Sequence, residues 1–405
     1  MSGRLYVVGV GVQGLTVSQK QILADCALIV SSERHMSLVE GIAVDKIAIT
    51  PLSDALGRIK QTLPSASVGV LASGDPLFYG IGRRILAAFE PEQVAVLPAL
   101  SSMQEACARF KTPWDDVSFV SLHGREYFHL PGLLLTPKTF ILTDRRNSPD
   151  RIATQLLDYL NLIGDENLKQ DCLVRVGENI GADNERFVSG SLAEIAAQRF
   201  DDLNVMLLTC PGLNKKNTGC FGLCEEKIFH SRGLITKDEV RAVTLHKLQL
   251  PLSGIMWDIG AGSGSVSVEA ARMNPGLTVY AVERKDEAMA NIKENIRRFR
   301  CYNVIPVAGL APVALQKLPA PDRVFIGGSG GHLSPIISYA AGQLPAGGRL
   351  VVNGVLAKTI DEAPLLMQAQ GLSVSMSTIQ CERKNLAREG TGTSLNPITV
   401  IVGKK

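Results

Sequence analysis

Short apolar blocks punctuate this chain, and most are followed by a longer stretch in which apolar residues return every three or four positions. Leu5–Val10, Val68–Leu71, Val94–Leu97, Phe119–Leu122 and the block opening at Phe140 are of the first kind. TVSQKQILADCA, LFYGIGRRILAAF, SSMQEACARF, RIATQLLDYL and SLAEIAAQRF are of the second. The first pattern predicts strands and the second amphipathic helices, and their alternation predicts α/β lobes. Thr16 is placed to cap the first helix, and Ser102 with Glu105 has the spacing of a capping box before MQEACARF. Ser73-Gly74-Asp75-Pro76 is a strong turn signal at a strand end. SSERHM, residues 31–36, reads as a polar loop, as does GADNERF between the strands DCLVRVGENI and SLAEIAAQRF's helix.

Residues 210–229, CPGLNKKNTGCFGLCEEKIF, lack any period and gather Pro, Gly, Asn and Lys. They divide the chain into residues 1–212, a linker at 213–229, and residues 230–405. The second half opens on a helix in which Thr236 and Glu239 have capping-box spacing. Then come strand Ile255–Asp258, a glycine turn, a helix, strand Leu277–Glu283, and the charged helix KDEAMANIKENIRRFR. VIPVAG, RVFIGG and GRLVVNGV read as further strands, with APVALQKL, LSPIISYAAGQL and TIDEAPLLMQAQ as helices. SVSMSTIQC and PITVIVG are two closing strands, separated by a loop containing RKNLAREGTGTSLN.

Composition narrows the class. The 405 residues, 45% hydrophobic and 20% charged, are enough for two or three globular domains with real cores. No apolar run is long enough to span a bilayer, and MSGRLYVVGVG has the layout of a first strand rather than of a signal peptide. The eight cysteines form no disulfide framework, which predicts a cytoplasmic protein. Cys210, Cys220 and Cys224 lack the paired spacing of a zinc site, so no metal is expected. Charge is uneven: 19 Lys+Arg against 24 Asp+Glu up to Pro211, and 23 against 15 after it, giving −5 and +8 within the total of +3. A basic second half predicts an anionic partner, either nucleic acid or a polycarboxylate.

The candidate chemistry centres on IMWDIGAGSGSVSVEAA. Asp258 ends a strand, Gly260, Gly262 and Gly264 make the turn, and the helix that follows presents unpartnered N–H groups. That helix end suits a carboxylate or phosphate. Glu283 ends the next strand about 20 positions on, where an acid accepts hydrogen bonds from a ribose. The G-x-G-x-G spacing departs from the dinucleotide pattern and suits S-adenosylmethionine, which has no phosphate. Glycines Gly328 and Gly330 in GGSGG let a flat substrate approach the backbone. Arg241, Arg383 and Arg388 are candidate partners for substrate carboxylates, because guanidinium pairs with them bidentately. VVGVGVQG near the N-terminus matches G-x-G-x-x-G, with Glu33 about 20 residues on, but its dinucleotide reading ranks low.

Motif for motif, IMWDIGAGSGS resembles motif I of the class I AdoMet-dependent methyltransferases. VGVGVQG, ASGDPLFYG and PALSSMQEACARF together resemble the tetrapyrrole methylase family, the class III AdoMet methyltransferases. HSRGLITKDEVR, WDIGAGSGS, AVER and FIGGSGG resemble the decarboxylating precorrin methyltransferases of cobalamin biosynthesis. The whole chain is thus similar to the fused members of that family. The resemblance implies a two-lobed tetrapyrrole methylase fold followed by a Rossmann-like class I domain of seven strands, five parallel and the last antiparallel. It implies two methyl transfers from S-adenosylmethionine to meso carbons of a corrin precursor, with loss of carbon dioxide from an acetate side chain. By position it implies AdoMet contacts at Gly9, Gly11, Ser73, Gly74 and Asp75 in the first half. In the second half it implies Thr236, Asp258, Gly260, Ala261, Gly262, Ser263, Gly264, Glu283 and Ala311. Leu310 stands where relatives often carry an acid. No catalytic acid or base is singled out. The expected partner is a tetrapyrrole polycarboxylate, with neither nucleic acid nor membrane, and the chain is expected to form a homo-oligomer. A tRNA methyltransferase and a non-catalytic tetrapyrrole scaffold are the competing readings. The first lacks an aromatic-studded basic stretch.

Overall fold

The computed structural model describes residues 3–124, 130–213, 221–231, 233, 235–384 and 392–405. The chain divides into two compact units. The first comprises Met1–Arg125, Lys138–Ala153 and Leu173–Thr209; the second comprises Glu126–Pro137, Thr154–Cys172 and Cys210–Lys405.

In the first unit, β1 (Leu5–Val10), β2 (Leu28–Ser31), β3 (Asp45–Ala48), β4 (Val68–Ser73) and β5 (Val94–Leu97) form a parallel sheet in the order β3-β2-β4-β1-β5. Leu5 and Val7 pack into one apolar cluster while Val8 and Val10 pack into another. Both faces of β1 are therefore covered, which is why its apolar run is continuous rather than alternating. A second sheet holds β6 (Ser118–Ser121), β7 (Lys138–Leu142), β8 (Leu173–Glu178), β9 (Arg186–Ser191) and β10 (Asn204–Thr209) in the order β6-β7-β10-β8-β9. Only its β6–β7 pair is parallel. Two α/β lobes are thus present, as the alternation predicts.

Local differences have local causes. The capping box of helix Ser102–Arg109 is Ser101 with Gln104, one position before the predicted pair; Glu105 instead pairs with Arg109 at 2.5 Å. LFYGIGRRILAAF is helical only over Gly82–Leu86, because Gly80 and Gly82 press against the Pro76 carbonyl, where a Cβ would lie 2.6 Å away. SSERHM is not a loop throughout. Glu33–Met36 form a helical turn that buries His35.

The second unit is built on a seven-stranded sheet. Its strands are β11 (Ser253–Ile259), β12 (Gly276–Glu283), β13 (Val304–Ala308), β14 (Arg323–Ile326), β15 (Arg349–Gly354) and β16 (Ser373–Ile379). After a small hairpin of β17 (Glu382–Lys384) and β18 (Gly392–Ser394), β19 (Ile398–Lys404) completes it. The order is β13-β12-β11-β14-β15-β19-β16, with β19 antiparallel to both neighbours and the other pairs parallel. This is the predicted topology, with the switch of direction beside β11 that makes a ligand crevice at the strands' carboxyl ends. Trp257 and Ile259 of β11 anchor the core on one face. Helix Ser265–Met273 covers the other and is buried on nearly every side.

That buried helix explains an arginine. Glu269 on it is 2% exposed, and its carboxylate accepts from the Arg241 Nε and from the backbone N–H groups of Gly222 and Leu223, the latter two at 2.6 and 2.9 Å. The second half of the predicted linker is accordingly fastened to this unit, with Phe229 N–H also donating to Asn295 at 2.8 Å. Thr236 is not a helix cap. Helix Asp238–Leu248 begins one residue later, and its N-cap, Lys237, makes no side-chain capping bond. Among the described residues no helix is long and apolar enough to cross a membrane.

Candidate functional site: two glycine-floored cavities

Each unit opens a cavity where its central strand ends, and both are built by the same device. Gly260 follows β11 with φ +69°, and a Cβ there would lie 2.2 Å from the Gly328 carbonyl oxygen. Gly9 near the end of β1 is equally confined: a Cβ would lie 2.2 Å from the Gly74 carbonyl oxygen and 2.6 Å from the Ala99 nitrogen. In both units a bare backbone turn from the central strand lies flat on the loop after its neighbour. Gly327 N–H donates to the Ile259 carbonyl at 2.9 Å in one, and Gly74 N–H to the Val10 carbonyl at 2.7 Å in the other.

The cavity of the second unit has a volume of about 280 Å³. Gly260, Gly262, Ser263, Glu283, Leu310 and Ala311 line it, and so do Gly328 and Gly330 from the predicted GGSGG loop. Glu283 is 8% exposed. Its Oε2 accepts from Gly262 N–H at 3.0 Å, and its Oε1 from Arg284 and Lys285 N–H at 2.8 and 3.0 Å. A carboxylate has about four lone-pair sites, so these three bonds fix the group while leaving it capacity for a ligand hydroxyl. No atom lies within 4 Å of the Cβ position of Gly262, so the turn leaves open space beside the carboxylate. This arrangement fits a ribose-bearing ligand of the AdoMet kind.

Other predicted residues stand behind the wall or away from it. Ala261 and Gly264 shape the turn without lining the cavity; Gly264, at φ +72°, is the N-cap of the buried helix. Asp258 is wholly buried and does not line the cavity. Its Oδ2 accepts from Ser267 Oγ at 2.5 Å, and its Oδ1 has no hydrogen-bond partner. Burial, against the pull of the Ser267 bonds and with a small push from Glu283, raises its pKa to about 7. Asp258 is therefore a buried support of the turn rather than a ligand contact. Thr236 also lies outside the cavity, and its carbonyl accepts from Arg241 at 2.9 Å.

The arginines predicted for substrate are committed elsewhere. Arg241 is 1% exposed and bonds Glu269, Asp238 and the Leu223 and Thr236 carbonyls. Arg383 holds Glu239 with two hydrogen bonds, of 2.8 and 2.6 Å, and Glu225 with a third, drawing the Glu239 pKa down to about 2. Neither reaches the cavity, and Arg388 lies outside the described residues. The cations that do line it are Arg284 and Lys285. The signal for them was adjacent to Glu283 in AVERK: residues that follow a strand's ligand-binding end share its edge.

The cavity of the first unit is larger, about 1030 Å³, and lies between its two lobes. Gly11, Ser73, Gly74 and Asp75 line it, and Gly9 forms its floor through contact with Gly74. Asp75 is partly occupied, its Oδ1 accepting from Leu77 N–H at 2.8 Å. Arg34, His35, Arg83 and Arg84 also line this cavity, and none stood out in the sequence. Glu33 does not.

Among the described residues, Cys224, Glu226 and Asp238 bring potential metal-ligating atoms within 4.8 Å of one another. Cys224 and Glu226 are exposed, and Asp238 is paired with Arg241 at 2.7 Å.

Comparison with known proteins finds two family matches along the chain. A family model described as tetrapyrrole (corrin/porphyrin) methylases matches residues 4–196, and one described as a precorrin methyltransferase domain matches residues 227–403. A precorrin-6Y C(5,15)-methyltransferase [decarboxylating] of Sinorhizobium is 31% identical over 388 residues, covering 94% of this chain and 91% of the relative. A cobalt-precorrin-6B C(15)-methyltransferase (decarboxylating) of Salmonella typhimurium is 39% identical over 174 residues, 42% of this chain and 89% of its own. The solved structure of a precorrin-6y C5,15-methyltransferase from Geobacter metallireducens shares 38% identity and covers 46% of this chain and 97% of that one, with a TM-score of 0.45.

Proposed function

The chain belongs to the precorrin-6Y C(5,15)-methyltransferase (decarboxylating) family, and on that premise we propose that it uses S-adenosylmethionine to methylate two meso carbons of a corrin precursor and removes carbon dioxide from an acetate side chain, giving precorrin-8. The observation that carries the proposal is the pair of glycine-floored cavities, one in each unit. S-adenosylmethionine supplies, when bound, a methyl group on a positively charged sulfur. In the second unit Glu283 would hold its ribose, with Gly260–Gly264 along its chain and Leu310–Ala311 beside its base. In the first unit Gly11 and the Ser73–Asp75 loop would hold a second donor.

The protein's part is chiefly to hold two partners in line. Positioning of this kind supplies roughly 7–11 kcal/mol of a barrier. A meso carbon of the reduced macrocycle is enamine-like and is itself the nucleophile. The electrons left by departing carbon dioxide enter the conjugated ring, so the substrate is its own electron sink. Arg284 and Lys285 in the second unit, and Arg34, Arg83 and Arg84 in the first, are the cations available to its carboxylates. Among the described residues none of these five forms an ion pair.

We assign methylation alone to the first unit, and methylation with decarboxylation to the second. Relatives of about half this length that are named as decarboxylating C(15)-methyltransferases support this division. The boundary between the activities falls in 213–229.

The test is incubation of the full chain with S-adenosylmethionine and precorrin-6Y, read by mass spectrometry. The expected product has gained two methyl groups and lost one carbon dioxide. A substrate recovered unchanged contradicts the proposal.

A further inference from the structure

Transfer of a methyl group from a sulfonium leaves a neutral thioether, so charge balance requires the substrate to release one proton for each methyl it receives. The first unit's cavity contains a group suited to that proton. His35 is 7% exposed and yet lines the cavity. Its ring stands between two hydroxyls, with Nε2 3.4 Å from Ser73 Oγ and Nδ1 3.4 Å from Ser32 Oγ. Ser73 lies at the end of β4, in the loop that lines the same cavity. A hydrogen-bonded line thus runs from the cavity surface through Ser73 and His35 to Ser32, the N-cap of the helical turn Glu33–Met36.

We propose that His35, acting through the Ser73 hydroxyl, takes up the proton that the macrocycle releases when the first unit methylates it. The inference rests on the methyl-transfer reading above. In the step, the carbon–sulfur bond of the donor breaks and its electron pair stays on sulfur, while the meso carbon forms the new carbon–carbon bond. The methylated carbon then gives up its C–H proton, and that bonding pair returns to the conjugated ring. The proton passes to Ser73 Oγ as the Ser73 hydroxyl proton passes to His35 Nε2. Nothing is oxidised or reduced. The tautomer required has Nδ1–H donating to Ser32 Oγ, which leaves Nε2 free to accept. His35 is thus a positioning residue that holds Ser73 ready and removes its proton.

The surroundings keep the ring neutral and able to accept. Burial first, and the adjacent Arg34 charge second, lower the His35 pKa below its ordinary 6.5. The other charged or titratable groups on the cavity wall are Asp75, Tyr79, Arg83, Arg84, Glu105 and His123. Of the two carboxylates, Asp75 is engaged by Leu77 N–H and Glu105 by Arg109, so neither is bonded to the imidazole. β2, packed against this helical turn, carries no charged residue.

The experiment uses the full chain with His35→Asn and His35→Ala. Single-turnover gain of the first methyl group is expected to slow about 100-fold, the lower end for a lost acid–base group. Calorimetric affinity for S-adenosylmethionine should stay within about twofold, and added imidazole should restore rate to the alanine variant. The wild-type rate should fall as pH drops through the His35 titration, followed independently by the NMR shift of its ring, and this limb should vanish in His35→Asn. A wild-type rate in both variants overturns the relay. So does a rate loss that follows donor affinity alone while the pH limb persists, since His35 then merely supports the loop. Failure of the wild-type chain to methylate anything sinks the functional reading instead, and is told apart by that control.

Discussion

The carboxyl group of Asp258 has no access to water and one oxygen without a partner, so its protonation is tied to folding. Its folded pKa of about 7 lies above the ordinary 3.8. The folded state therefore binds the extra proton between those values, and stability is fullest below about pH 4 and falls as pH rises through 7. Asp258→Asn should abolish that decline, gaining a few kcal/mol at about pH 8; urea midpoints at acid and mildly alkaline pH check this, and an unchanged slope contradicts it. Arg241 presents the opposite case, a buried cation wholly paired. Arg241→Ala strands the Glu269 charge and should destabilise by about 3–5 kcal/mol, seen as a lower melting temperature, with substrate KM little changed in the folded fraction. A raised KM with unaltered melting would restore the substrate role. Glu283→Gln keeps the shape and removes the charge, and should weaken donor binding to the second unit by about 1–3 kcal/mol. Calorimetry on the full chain measures that loss. The residue types at Asp258, Glu283 and Arg241 were evident in the sequence. Which of them would face ligand was not, because one strand position or one buried helix decides it.

At the scale of elements, the strands with two covered faces were legible and the others were not. β1, β4, β11 and β12 announce themselves as apolar runs. β9 lies at a sheet edge with no residue fully buried, and its RFVSGS offers no period to read. β17 and β18 pair through Glu382–Lys384 and Gly392–Ser394, a polar ribbon hidden in a loop-like composition. APVALQKL, expected as a helix, makes only a short turn at Val313–Leu315, in which Leu315 is buried while Val313 is 68% exposed. The glycine turns were legible as turns, but their close contact with the next strand's loop is a tertiary fact. It yields a sharp expectation. Gly260→Ala places a methyl 2.2 Å from the Gly328 carbonyl, which should cost about 1–3 kcal/mol and weaken donor affinity in the second unit together with stability. Wild-type melting and affinity in that variant would show that the two loops do not need their contact.

At the scale of the molecule, two unrelated sheet topologies converge on one solution, a bare turn at the end of the central strand beside a cavity. The charge asymmetry of the sequence, −5 and +8, gives no hint that the first unit's cavity carries arginines that form no ion pair among the described residues, while two of the basic half's arginines, Arg241 and Arg383, are spent on internal ion pairs. Net charge by segment is blind to such pairing, which is why the cavity-lining cations were not legible in the sequence although the family was. For one chain to transfer two methyl groups in this way, both cavities must accept the same donor. Isothermal titration of the full chain with S-adenosylmethionine tests this directly: the expected result is two donor molecules bound per chain, falling to one in a variant disabled at Glu283, whereas saturation of the unaltered chain at a single donor would contradict it.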